Sequence, residues 1–161
     1  MHEPVVNSTP LITLCNIGQV NLLRDLYGTI HIPRAVFDEV TSKDDSACRL
    51  LRSAPDWIRV GDAPVPDDSR LMRAKLHAGE VGVIMLARAI GSEFAILDDN
   101  AAKKTAQYLG LTITGTIGVL LRAKDEGLID RVSPEIEKIR RNGFWLSDSV
   151  VSMALRYAKE I

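Results

Sequence analysis

Phe94-Ala95-Ile96-Leu97-Asp98-Asp99-Asn100 is the stretch that decides how this chain reads. Its four apolar residues do not alternate, which is the pattern of a short strand buried on both faces, as in a parallel sheet. Two acids follow at once, and in open parallel sheets ligands sit beyond the carboxyl ends of the strands. The stretch therefore predicts both an architecture and a place to look for chemistry.

Working outward, GEVGVIMLARAIG from Gly79 is almost wholly apolar after its first turn and predicts a helix lying deep against the sheet. Downstream, residues 101–109 read as a helix, Leu111-Thr112-Ile113 as the next strand, and Thr116 opens a helix through Leu120, Leu121 and Ala123 to Gly127. Upstream, Val5-Val6 forms a strand; Ser8 or Thr9 caps a helix with Pro10 in its first turn and Gly18 at its end. A second helix, with Val20, Leu23, Leu26 and Tyr27 on one face, stops at Gly28. Ile30-His31-Ile32 is a short strand abutting Pro33, which starts a helix through Val36, Phe37 and Val40. Residues 43–54 continue helically, Trp57-Ile58-Arg59-Val60 alternates like a half-exposed strand, and residues 61–68 form a connector too short to separate domains. Helices from Ser133 to about Arg141 and from Ser147 onward close the chain. Alternating strands and helices predict an α/β protein with a parallel sheet, and 161 residues at 46% hydrophobic suit one domain over 1–161.

Twenty basic and 21 acidic side chains give a net charge of -1, so no global basic field advertises nucleic acid or membrane, and an anionic partner must use a local patch. The basic groups Arg70-Arg73-Lys75, Lys103-Lys104, Arg122-Lys124 and Lys138-Arg140-Arg141 read as solvated helix faces unless one borders the acidic residues. Cys15 and Cys48 read as small fillers inside helices, and the expected compartment is a reducing cytoplasm. The acid and proline near the start, with no window of ~18 apolar residues, predict neither secretion nor membrane spanning.

Three polar groups follow strands: Asn7-Ser8-Thr9, Asp98-Asp99 and Thr114-Gly115-Thr116. Two further acids, Glu39 and Glu80, sit on helices among apolar neighbours, where an uncompensated carboxylate is costly. Carboxylates gathered together hold hard divalent ions such as Mg²⁺ or Mn²⁺, which activate water and stabilise charge at a phosphodiester. Each acid also has an ordinary alternative: Asp98 or Asp99 as a helix cap, Glu80 as a complement to a helix dipole, Glu39 as a solvated side chain. His2 and His77 have no histidine or cysteine partner at metal-ligand spacing, His31 reads as a mid-strand core or surface histidine, and the glycines of Gly79-Glu80-Val81-Gly82 read as allowing close helix packing.

The ordered set VVNSTPLI, IPRAVFDEV, AGEVGVIMLA and FAILDDNAAKKTAQYLGLTITGTIGVLLRAKDEGLI resembles the PIN-domain superfamily, in its branch of small prokaryotic proteins long catalogued as a domain of unknown function. The resemblance runs from Val5 to about Tyr157. It implies a Rossmann-like three-layer α/β/α sandwich around a central parallel sheet, with an acidic pocket for Mg²⁺ or Mn²⁺. It implies a ribonuclease acting on RNA, and for many relatives the toxin half of a toxin–antitoxin pair, a dimer neutralised by a small antitoxin protein. The four acidic positions fall on Asn7, Glu39, Glu80 and Asp99 with Asp98 beside it, and the polar position after the first falls on Ser8 or Thr9. Most active relatives carry aspartate where this chain has Asn7. An amide oxygen can ligate a metal or orient water but brings no charge and cannot act as a base, so the alternative expectation is a non-catalytic PIN-like module binding RNA or protein. A receiver-like phosphoacceptor fits worse, because its acidic pair would follow the first strand, which here ends in Asn7.

Overall fold

The computed structural model describes residues 3–63 and 78–161. His2, Arg70, Arg73, Lys75, His77 and most of the connector lie outside the described residues.

Five short strands form one sheet: β1 (Val5–Val6), β2 (Ile30–Pro33), β3 (Ile58–Gly61), β4 (Phe94–Ile96) and β5 (Thr112–Thr114). The spatial order is β3-β2-β1-β4-β5 and every pairing is parallel. β1 is central, with Val5 opposite both His31 and Ala95 and Val6 opposite Ile96. Val5, Val6, Ala95 and Ile96 are all fully buried, as expected of strands covered on both faces. The chain builds outward from β1 through β2 to β3, then returns to the other side of β1 for β4 and β5. The order thus reverses between β1 and β4, the place where open parallel sheets form a ligand crevice at the carboxyl ends.

The helices around the sheet are α1 (Ser8–Asn16), α2 (Asn21–Tyr27), α3 (Arg34–Thr41), α4 (Ser46–Arg52), α5 (Ala78–Ile90), α6 (Asn100–Tyr108), α7 (Thr116–Asp125), α8 (Ser133–Arg141) and α9 (Asp148–Tyr157). Together they flank the parallel sheet that the alternation predicts, in the α/β sandwich that the resemblance implies. The apolar helix α5 lies against β1, β2, β4 and α3, burying Val81, Val83, Ile84, Leu86 and Ala87. Its Gly82 is a packing glycine, since a Cβ there would stand 2.9 Å from Pro33 Cβ. Cys48 is buried and Cys15 partly buried, both as free thiols; burial, helped by the charge of Asp45, pushes the Cys15 thiol up to about 12. It therefore stays protonated and works as a filler.

Three boundaries differ from expectation. Pro33 ends β2 instead of opening a helix, with extended backbone (φ -67°, ψ 154°) at the position before α3; the fixed φ of proline suits both places, and its missing N–H falls where the ladder ends. Neither Ser8 nor Thr9 caps α1: Asn7 stands at the cap and Ser8 is already helical. Helix α4 is shorter than residues 43–54, beginning at Ser46 because the Asp45 carboxylate accepts from the Cys48 N–H at 2.9 Å.

Candidate active site

Asn7 leaves the central strand with its N–H donating to Ile96 O at 3.0 Å, which ties it to the β4 side of the crevice. Its side chain makes no capping hydrogen bond. The residue is only 5% exposed and Oδ1 is buried without a hydrogen-bond partner. Burying an unsatisfied acceptor costs about 1–3 kcal/mol, so this oxygen is poised to accept from, or coordinate, something other than the protein.

Glu39 approaches Asn7 where α3 meets the start of α5. A Cβ on Gly79 would stand 3.4 Å from Asn7 Oδ1 and 3.4 Å from Glu39 Oε2, so both oxygens look onto the same point of the chain. Glu39 is exposed on the last turn of α3, while Glu80, the residue after Gly79, is buried in the first turn of α5. Glycine at 79 keeps that space open. The sequence offered Gly79 only as a packing residue, because the meeting of α3 with α5 is set by tertiary packing.

Asp98 and Asp99 point their carboxylates at helix starts. Asp98 Oδ1 accepts from the Thr116 N–H at 2.8 Å and Oδ2 from the Thr116 hydroxyl at 2.6 Å, bracing the start of α7. Asp99, exposed, caps α6 by accepting from the Ala102 N–H at 2.8 Å. Capping leaves each carboxylate with lone pairs to spare. Beside them, a Cβ on Gly115 would stand 2.6 Å from Asp98 Oδ1 and 3.2 Å from Lys103 Nζ. Lys103 thus brings an ammonium to the carboxyl end of the sheet, which its place in a lysine pair did not reveal.

Ser8 is buried next to Asn7, whereas Thr9 lines a neighbouring cavity along α1. His31 pairs with Glu3 at 3.3 Å, on β2. Of the basic groups, Arg122 stacks over the Tyr27 ring and Lys124, Lys138 and Arg140 hold Glu160, Glu135 and Asp148, so these are structural contacts.

Among the described residues, no three His, Cys, Asp or Glu side chains form a group that could hold a metal ion. The donors present still suit a hard divalent cation, because Mg²⁺ keeps several waters and is held by one or two carboxylates. Glu39 with the buried, unpartnered Asn7 oxygen supplies donors of that kind.

A parallel sheet reversing at its centre, with polar residues following the carboxyl ends of β1, β4 and β5, defines a Rossmann-like α/β sandwich. A family model, DUF3368, described as a PIN domain, matches residues 3–160, and the chain therefore belongs to this PIN-domain family. PIN domains are generally nucleases and typically use divalent metals. No curated protein matches the sequence. Among the described residues no helix is long and apolar enough to cross a membrane.

Proposed function

We propose that the protein is a metal-dependent endoribonuclease of the PIN type. The observation that carries the proposal is the buried, unpartnered Asn7 Oδ1 facing the same point of the chain as Glu39 Oε2, beside the buried Glu80. In this reading Glu39, Glu80 and Asp99 are the principal ligands of Mg²⁺ or Mn²⁺, with Asp98 and Asn7 as secondary ones. A bound divalent ion supplies Lewis acidity and a low-pKa water. The side chains do the rest: Asn7 orients through its carbonyl oxygen, Ser8 or Thr9 holds water or phosphate, and Asp98 keeps α7 fixed against the crevice. The proposal extends to a cytoplasmic toxin of a toxin–antitoxin pair, neutralised by a small protein and acting as a homodimer, on the strength of the family resemblance.

The test is cleavage of single-stranded and structured RNA in Mn²⁺ or Mg²⁺ by the parent, Glu80→Gln and Asp99→Asn. A loss of about 100-fold or more in the variants, and in the parent with EDTA, is expected for a site that works through its metal. Equal rates in all three proteins would sink the proposal.

Two observations favour a second reading, a PIN-fold module that binds RNA or protein without turnover: the first acidic position is an amide, and no three-acid group stands among the described residues. That reading requires the parent to be inert and Asn7→Asp to gain metal binding and cleavage together. Efficient cleavage by the parent eliminates it.

A further inference from the structure

Helix α1 begins at the crevice and carries a second feature along one side. Thr9, Thr13 and Asn16, spaced i, i+4 and i+7, form one wall of an open cavity of about 240 Å³, and Asn142 and Phe144, beyond the end of α8, form the other. Ile12, Ile17 and Ile139 make its apolar parts. The Thr13 hydroxyl belongs to a residue only 6% exposed and has no hydrogen-bond partner among the described residues. Asn142 donates one amide proton to Lys138 O at 2.8 Å, and Asn16 Oδ1 accepts from Ser46 Oγ at 3.5 Å. An Asn142 carbonyl oxygen and an Asn16 amide group are thereby left over.

The chemistry of this wall selects its occupant. An apolar side chain of a peptide would satisfy the isoleucines but strand the Thr13 hydroxyl and the two amides, at the cost of unpaired buried polar groups. A flat heterocycle with donors and acceptors on its edge satisfies both, and the half-buried Phe144 lines the same cavity. The volume lies below the ~300–1,000 Å³ of drug-sized sites, which suits one ring system. Thr9 is two residues from Asn7, so a base held here would be attached to a backbone passing the crevice. Proteins that read RNA by sequence do so on splayed single-strand bases, through aromatic stacking and edge hydrogen bonds.

We propose that this cavity binds one unpaired nucleobase of a single-stranded RNA, next to the phosphate at the crevice, and that it sets sequence preference. The proposal rests on RNA being the substrate of the adjoining site. Its test uses fluorescein-labelled hexanucleotides of U, C, A or G, with binding measured by anisotropy in EDTA so that cleavage plays no part. The parent is expected to prefer one base, and Phe144→Ala to bind at least about tenfold more weakly, as loss of one stacked base predicts. Thr13→Val, which keeps the shape and removes only the hydroxyl, keeps the test valid where Phe144→Ala fails to fold; it is expected to blunt the base preference. With Mn²⁺ present, Thr13→Val should raise KM and leave kcat unchanged.

Four outcomes overturn the inference: no oligonucleotide binding by the parent, equal binding of all four bases, folded variants that bind within twofold of the parent, or a cavity titrated only by hydrophobic peptides. Failure of the nuclease proposal is separable from these. Base-selective binding that depends on Thr13, without turnover in Mn²⁺, removes the nuclease and keeps the base site; turnover with variants equal to the parent does the reverse.

Discussion

Asn7 is the residue on which the electrostatics of the crevice turn. As an amide it leaves an unpartnered buried oxygen facing the same point of the chain as Glu39; as a carboxylate it would add a second negative charge there. Burial and like charges disfavour an ionised acid, so Asn7→Asp is expected to melt at a lower temperature than the parent in EDTA, by more at pH 8 than at pH 5, and to recover with Mn²⁺. Differential scanning fluorimetry checks this; a variant indifferent to pH and Mn²⁺ would place no cation near residue 7. Glu160 is the contrasting acid, whose side chain is 3% exposed. Burial alone would raise its carboxyl, but hydrogen bonds from the Val132 N–H (2.8 Å), Lys124 (3.0 Å) and the Ser133 N–H (3.0 Å) outweigh that and hold it below the usual carboxylate range. A lowered folded-state pKa means that the stabilisation is complete above the unfolded-state pKa and is lost as pH falls through the folded one. Glu160→Gln should therefore cost about 1–3 kcal/mol in urea melts at pH 7, with the gap to the parent closing in acid; a constant gap would refute the linkage.

At the scale of elements, α5 shows how a local signal fixes a non-local fit. Its apolar run was plain in the sequence, and so was β4, because burial on both sides leaves an unbroken apolar stretch whichever partners cover it. The partners themselves were not legible. Asp98 reaching Thr116, 18 positions away, and Glu39 lying 3.4 Å from where a Cβ on Gly79 would stand depend on where whole helices land, and neither spacing nor propensity encodes that. The acidic positions could be ordered along the chain, but that Asp99 caps α6 while Asp98 braces α7 needed the structure. Gly82 tests the fit directly. Helix propensity favours alanine over glycine by about 1 kcal/mol, yet the new Cβ would stand 2.9 Å from the rigid Pro33 ring. Overpacking of this kind costs about 1–3 kcal/mol and is expected to win, so Gly82→Ala should lower the urea midpoint without changing the slope. A rise in the midpoint would mean that α5 can shift away from β2.

For the whole molecule, near-neutral charge and a buried sheet leave apolar surface as the main driver of association. Large exposed apolar groups concentrate around α9: Trp145 is 82% exposed, Met153 64% and Tyr157 61%, while within the helix only Ala154 is fully packed away. Met153 and Tyr157 are four residues apart and share one side of the helix. An exposed apolar patch on a small domain commonly marks an interaction surface. Burying it between two copies would satisfy it without using the crevice at the strand ends. The proposed homodimer is accordingly expected to form through α9, and Met153→Asp, which sets a charge in the middle of the face, should shift such a dimer to monomer in multi-angle light scattering at micromolar concentration. Tyr108, 88% exposed on α6, serves as the control, since Tyr108→Asp should leave the mass unchanged. Because none of the proposed ligand residues lies on α9, the proposed RNA cleavage per chain should survive Met153→Asp. Loss of the dimer in the Tyr108 variant alone would move the interface to α6.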